Sequence, residues 1–369
     1  MATWNSVVSG TGEDLYSVWG ASANDVWAVG TNGTILHWDG VSWSSVVSGT
    51  AASLFGVWGF ASNDVWACGT GGTILHWDGV SWSSVVSGTA STLFRIWGIA
   101  ANDIWVTVLG FDANVYHWDG VSWSAVPAFT NTISVWGAAS NDVWMGSSGG
   151  KIYHWDGVNW SLDTTIGAAT EYLRRMHGQG PNDVWVSGSL DITNTTGLVY
   201  HWDGVNWTSS YASPVPPGSL EGVWSFTAND VWASSTDGYV VHWDGVSWTP
   251  DNISALQLKG IWGFAANDVW VVGSSGEILH YTDVVSPLTL VHAQAPDTRH
   301  VDVIFSLPVV EPEALLPENY EITGAGGLTV SAVTKNSATS YRLTTERHVP
   351  GGAYTVTASN IHSLDGDLI

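Results

Sequence analysis

The chain has 369 residues, with nine basic side chains against 33 acidic ones and a formal charge of −24. That balance excludes a nucleic-acid backbone or an anionic membrane surface as partner. Hydrophobic residues make up 45% and charged residues 11%, so the chain is not of the highly charged kind that stays disordered.

No run approaches the roughly 20 consecutive apolar residues that span a bilayer. Met1-Ala2-Thr3-Trp4 shows no basic stretch followed by an apolar one, so we expect synthesis in the cytoplasm and use on a particle or cell surface. A single cysteine, Cys68, excludes a disulfide framework and any cysteine-built zinc site.

In chain order, the first predicted strand is Thr3-Trp4-Asn5-Ser6-Val7-Val8-Ser9-Gly10-Thr11, which matches Ser42-Trp43-Ser44-Ser45-Val46-Val47-Ser48-Gly49-Thr50. Between and beyond these lies a repeat. Asn-Asp-Val/Ile-Trp ends at Trp27, Trp66, Trp105, Trp144, Trp185, Trp232 and Trp270, with spacings of 39, 39, 39, 41, 47 and 38. His-Trp-Asp-Gly-x-x-Trp begins at His37, His76, His117, His154, His201 and His242, and fades to His280-Tyr281 in the seventh copy. Val/Ile-Trp-Gly runs through Trp19, Trp58, Trp97, Trp136 and Trp262; Trp224 is followed by Ser225, and His177 occupies the position in the fifth copy.

Each copy predicts four short strands, in the first about Leu15–Gly20, Asp25–Gly30, Thr34–Trp38 and Ser42–Val47. Asn32-Gly33 and Asp39-Gly40 are the dipeptides that accept tight hairpin turns. Four strands per roughly 40-residue repeat is the pattern of a β-propeller, here with seven blades. The seventh copy stops at Tyr281-Thr282-Asp283 without a fourth strand, and the N-terminal strand is expected to fill that place and remove an open edge. Residues 1–283 are therefore read as a seven-bladed propeller.

All 26 Trp lie before residue 271, and the composition changes beyond it. Residues 284–369 predict a small β-sandwich with segments at Leu288–Ala293, Val301–Ser306, Tyr320–Thr323, Leu328–Val333, Tyr341–Thr345 and Tyr354–Ala358. The order VDVIFSLPV…NYEITG…LTVSAV…YRLTT…YTVTASNIHSLDGDL resembles bacterial Ig-like domains of the surface-layer and adhesin type. That resemblance implies one further strand after Asp365-Gly366, so the sandwich is expected either to be cut short or to take a strand from a partner.

Most Trp are expected to be wedges between blades, since each buries a large area. The repeated His are expected to be hydrogen-bonded structural groups, because equivalent residues of different blades lie too far apart to share one metal ion. No metal, cofactor or catalytic residue is assigned. The Asp of each Asn-Asp, from Asp25 to Asp268, is expected to cap its own turn. Gly40-Val41-Ser42-Trp43 approximates the end of the sialidase Asp-box. Sialidase chemistry, however, needs several arginines around a carboxylate, and the repeat region holds only Arg95, Arg174 and Arg175.

Comparing the copies with one another, length varies in the loop between the second and third strands and in the linker between blades. Those two connections emerge on the same face of an up-and-down blade, so one face is expected to be variable and the other uniform. Departures concentrate at the fifth copy: Glu171, Tyr172, Arg174, Arg175 and His177 precede its Asn-Asp motif, and Asp191 and Asn194 lie in its insertion. This cluster is a candidate docking site, since loops on a rigid scaffold are where binding concentrates.

The recurrence of Trp, Gly and short polar turns also resembles bacterial lectin-like propellers of the tectonin and fucose-lectin type. The resemblance implies surface glycans as ligands. It also makes Trp43, Trp82, Trp123, Trp160, Trp207 and Trp248, with Asp39, Asp78, Asp119, Asp156, Asp203 and Asp244, the sugar-contacting candidates. The alternative is a structural or receptor-docking component of a phage tail, injection apparatus or surface appendage, joined to other subunits through its C-terminal domain.

Overall fold

A computed structural model describes residues 2–110, 114–129, 131–167, 171–190, 196–212, 218–283, 290–295, 297, 299–305, 311–324, 328–337, 339–346, 354–359 and 361. The chain divides into two compact units, Ala2–Thr282 and one beginning at Asp283.

The described strands of the first unit form seven four-stranded antiparallel sheets. In the first sheet, Leu15–Ser22, Asp25–Gly30, Ile35–Trp38 and Trp43–Ser45 lie side by side in chain order. Five further sheets repeat this order. In the last, Ala2–Ser6 lies beside Ile278–Asp283, followed by Asp268–Gly273 and Leu258–Ala265. The Val7 amide donates to the Ile278 carbonyl at 2.9 Å, and Trp4 meets Trp232 edge-on at 6.0 Å. The N-terminal strand thus occupies the fourth position that the seventh copy lacks. The unit is an all-β, Trp-rich propeller of four-stranded blades.

Trp residues fill the space between blades. Trp27, Trp105, Trp185 and Trp270 are among the largest fully buried side chains. Each meets the fourth-strand Trp of the next blade edge-on, as the ring quadrupole favours. Trp82 stands 5.5 Å from Trp27, Trp160 5.4 Å from Trp105, and Trp43 5.5 Å from Trp270 across the junction of last and first blades.

The repeated Asp and His hold these Trp in place. His37 stacks on Trp27 at 4.2 Å, and its Nε2 lies 2.8 Å from Asp25 Oδ1, which also accepts from Trp27 Nε1 at 3.0 Å. The Asp–His pair recurs in every blade at 2.7–2.8 Å. The expected turn cap is therefore corrected: this Asp bonds the Trp two residues on in its own strand and the His of the neighbouring strand, because both side chains point at it.

Turn capping falls instead to the second Asp. Asp39 Oδ1 accepts from the amides of Val41 at 2.9 Å and Ser42 at 2.8 Å, and these bonds hold its carboxyl below the usual carboxylate range. Gly40 follows at φ +94, and a Cβ there would stand 2.8 Å from Asn24, so both conformation and space require glycine. Asn32-Gly33 makes a single 3-10 turn, Thr31–Gly33, with Asn32 at φ 54.

In the second unit, Leu290–Gln294, His300–Phe305, Ser340–Thr345 and Val330–Lys335 form one sheet, while Tyr320–Gly324 pairs with Tyr354–Ala358. Val303, Phe305, Ile322, Tyr341 and Leu343 share a single core. Beyond the expected strands there is a helical turn at Glu311–Ala314. Asp365-Gly366 and the expected last strand lie outside the described residues.

Candidate functional site

The first strand of each blade lies innermost: Leu15–Ser22, Leu54–Ala61, Thr92–Ala100, Thr132–Ala139, Tyr172–Gly180, Leu220–Thr227 and Leu258–Ala265. Their side chains line one central cavity of about 30 Å³. Its lower wall is a belt of aromatic residues. Trp58–Trp97, Trp97–Trp136 and Trp136–His177 are spaced 6.3, 6.4 and 6.5 Å apart, and Trp224 lies 3.7 Å from His177 and 4.1 Å from Trp262.

His177 and Ser225, the two departures from Val/Ile-Trp-Gly, meet in this belt. His177 Nδ1 accepts from the Ser225 amide at 3.0 Å and lies 2.9 Å from its hydroxyl. At three other junctions, Trp19 to Gly59, Trp97 to Gly137 and Trp136 to Gly178, the inner Trp overlies a glycine of the next blade. A Cβ on Gly59 would stand 2.6 Å from Trp19, and one on Gly137 2.9 Å from Trp97. The smaller imidazole makes room for a serine. Burial, with Arg175 nearby, pulls His177 down to about 3, so the ring is neutral near pH 7.

Three positions before each inner aromatic stands the rim of the cavity, on the face where the blade-to-blade linkers arrive. It reads Tyr16, Phe55, Phe94, Ile133, Arg174, Glu221 and Lys259, with hardly a repeat. Tyr16, Phe55 and Phe94 form an aromatic arc with spacings of 4.9 and 5.5 Å. The opposite arc is charged: Arg174 Nε lies 3.5 Å from Glu221, and Lys259 Nζ lies 2.7 Å from Asp14 and over the Tyr16 ring. One step below the rim, Arg95 and Arg175 reach into the cavity. Four of the propeller's five basic residues are thus gathered at one mouth of an acidic domain.

The predicted docking residues are brought together differently from the expectation. Tyr172, Arg174, Arg175 and His177 belong to an inner strand rather than to loops, so Arg174 stands on the rim and Arg175 and His177 descend into the cavity. Glu171 ends the linker, 2% exposed, with its carbonyl accepting from the Gly149 amide at 2.7 Å. Asp191 and Asn194 lie outside the described residues.

The glycan candidates take structural positions. Trp43, Trp82 and Trp123 are buried, and Trp160, Trp207 and Trp248 are half-buried between blades. Asp78, Asp119, Asp156, Asp203 and Asp244 each cap a turn as Asp39 does. Trp207 also lines a cleft with Asp163, Tyr200 and Trp202.

Of the rim only Arg174 was singled out in the sequence; aligning the copies on the inner aromatic would have exposed the whole variable column, three positions upstream. Cys68 is buried beneath the same cavity wall, and burial pushes its thiol up to about 12. A thiolate is the reactive form, so the folded protein should resist a thiol reagent at pH 8 and react only when urea unfolds it. Labelling in step with a spectroscopic unfolding curve checks this.

No protein-family model matches the chain, and no curated protein matches it. Solved structures do. The structure described as "YCF48 bound to D1 peptide" is 19% identical with a TM-score of 0.60, covering 76% of this chain and 96% of its own. YCF48 from Cyanidioschyzon merolae is 16% identical with a TM-score of 0.59, covering 76% and 98%. The WD40 beta propeller domain of Doa1 is 12% identical with a TM-score of 0.63, covering 78% and 99%. What this chain shares with all three is the β-propeller fold.

Proposed function

We propose that the chain is a non-enzymatic binding scaffold whose seven blades present one face to a protein or peptide segment lying across the cavity mouth. The observation that supports this above others is the rim. A position repeated in every blade carries an aromatic arc at Tyr16, Phe55 and Phe94, and a charged arc at Arg174, Glu221 and Lys259. An apolar patch edged by charges that fix orientation is the anatomy of a protein-binding surface. YCF48, a protein of the same fold solved with a peptide bound, supports the same class of ligand.

The second unit, an Ig-like β-sandwich in this reading, joins the propeller to a larger assembly. Glycan recognition draws no support from the geometry, because its Trp pack between blades and its Asp cap turns.

The test is selection of a random peptide display library on the full-length protein. We expect enriched peptides that lose about tenfold in affinity, near 1.4 kcal/mol, when Phe55 and Phe94 are replaced by Ala. A library that yields no enrichment, or binders indifferent to Phe55→Ala and Phe94→Ala, overturns the reading.

A further inference from the structure

Two positions before each inner aromatic the propeller keeps a small residue: Ser17, Gly56, Ser134, Gly222 and Gly260. The third and fifth blades put Arg95 and Arg175 there instead. Taking a guanidinium out of water is costly unless an anion and a full set of acceptors meet it. Arg95 is 4% exposed; one Nη donates to the Phe55 carbonyl at 3.0 Å and the Phe94 carbonyl at 3.5 Å, the guanidinium lies 4.2 Å over the Phe94 ring, and its buried Nε has no hydrogen-bond partner among the described residues. Arg175 reaches across the cavity to Ser17 Oγ at 3.4 Å.

The carboxylates in reach already have other partners. Glu221 accepts from the Ser219 hydroxyl at 2.8 Å and pairs with Arg174, while Asp14 takes Lys259 at 2.7 Å and the Ser275 amide at 2.9 Å. Among the described residues, the mouth therefore holds two cations more than it holds carboxylates.

We propose that Arg95 and Arg175 form an oxyanion site in the throat of the propeller, taking a carboxylate or phosphate group carried by the segment that crosses the rim. This rests on the binding reading above and names the chemistry that the segment brings. The cavity of about 30 Å³ has room for about two water-sized groups, the size of the two oxygens a carboxylate presents. Guanidinium groups match such an oxyanion with paired N–H donors, and low local polarity strengthens those bonds. The aromatic arc above receives the apolar part of the same segment. Burial already draws Arg95 down to about 10, and a bound anion would reverse that pull.

Full-length protein is titrated with glutarate, and separately with inorganic phosphate, against sodium chloride at constant ionic strength. Trp fluorescence and thermal melting are followed, since Trp58, Trp97 and Trp136 line the same cavity. We expect a saturable fluorescence change and a rise in Tm with at least one anion and none with chloride. In Arg95→Met and Arg175→Met the affinity falls at least tenfold.

A response to glutarate assigns the site to carboxylate-bearing segments, and a response to phosphate alone assigns it to phosphorylated ones. Arg175→Lys keeps the charge without the paired donors and is expected to bind more weakly than the parent but better than Arg175→Met. It guards against a folding defect in the Met variants. No saturable response in the parent protein, or an unchanged response in both Met variants, overturns the site. Peptide selection is a separate readout, so a propeller that enriches peptides yet ignores both anions loses this site and keeps its role as a scaffold.

Discussion

Trp105→Ala will cost about 3–5 kcal/mol of stability, the range for removing a large aromatic from a packed core. Trp105 is 2% exposed, stacks on His117 at 4.3 Å, and meets Trp155 at 5.3 Å and Trp160 at 5.4 Å from the next blade. Its removal opens the junction between the third and fourth blades and leaves Asp103 without the indole donor it now has at 3.1 Å. Urea unfolding followed by Trp fluorescence and by circular dichroism should show a lower midpoint. Asp119→Ala, which removes only an exposed turn cap, serves as the contrasting variant and should shift the midpoint far less. A Trp105→Ala midpoint within error of the parent would show that Trp do not hold the blades together.

His177→Trp, which restores the residue found in six blades, will destabilise the protein rather than improve it. The larger ring would fall on Ser225, where the other Trp-covered positions have glycine with no room for a Cβ. Overpacking of this kind costs about 1–3 kcal/mol. Adding Ser225→Gly should recover most of that loss, giving a coupling of about 1–3 kcal/mol in a double-mutant cycle, as expected of residues in contact. Additive single effects would show that the two departures are unrelated.

The same histidine sets a pH dependence. Its pKa is about 3 when folded, against an ordinary value near 6.5. At pH 7.5 neither the folded nor the unfolded chain protonates it. As pH falls below about 6.5 the unfolded chain gains a proton that the folded one refuses, and stability drops by up to about 1.4 kcal/mol per pH unit. The loss continues towards pH 3. Between pH 6.5 and 4.5 it precedes the turn-capping Asp, whose carboxyls titrate below the usual range. His177→Gln should flatten that part of the unfolding free-energy curve relative to the parent.

The repeat spelled out the blades because Trp recurs at nearly constant spacing and short polar turns punctuate it, so local chemistry and global closure agree. Seven of the nine residues after Ala2 match the end of the first copy, and the structure places Ala2–Ser6 beside Ile278–Asp283. The Asp of Asn-Asp-Val-Trp was harder. A turn residue usually bonds its own turn, and only the sheet register, which sets Trp27 opposite His37, shows that Asp25 lies within reach of both.

For the candidate site, periodicity works against legibility. Residues that recur most draw notice as ligands, yet every blade must also pack on the next: Trp43 meets Trp270 across a junction and Asp39 caps its turn. The sequence by itself determined the strands, their number per copy and the seam that joins the ends, because these depend on local turns and on a pattern that repeats. The tertiary structure alone decided that Tyr16, Phe55, Phe94, Arg174, Glu221 and Lys259 form one rim and that Arg95 and Arg175 lie beneath it. These residues stand about 40 positions apart, and only closing the blades around an axis sets their inner strands side by side.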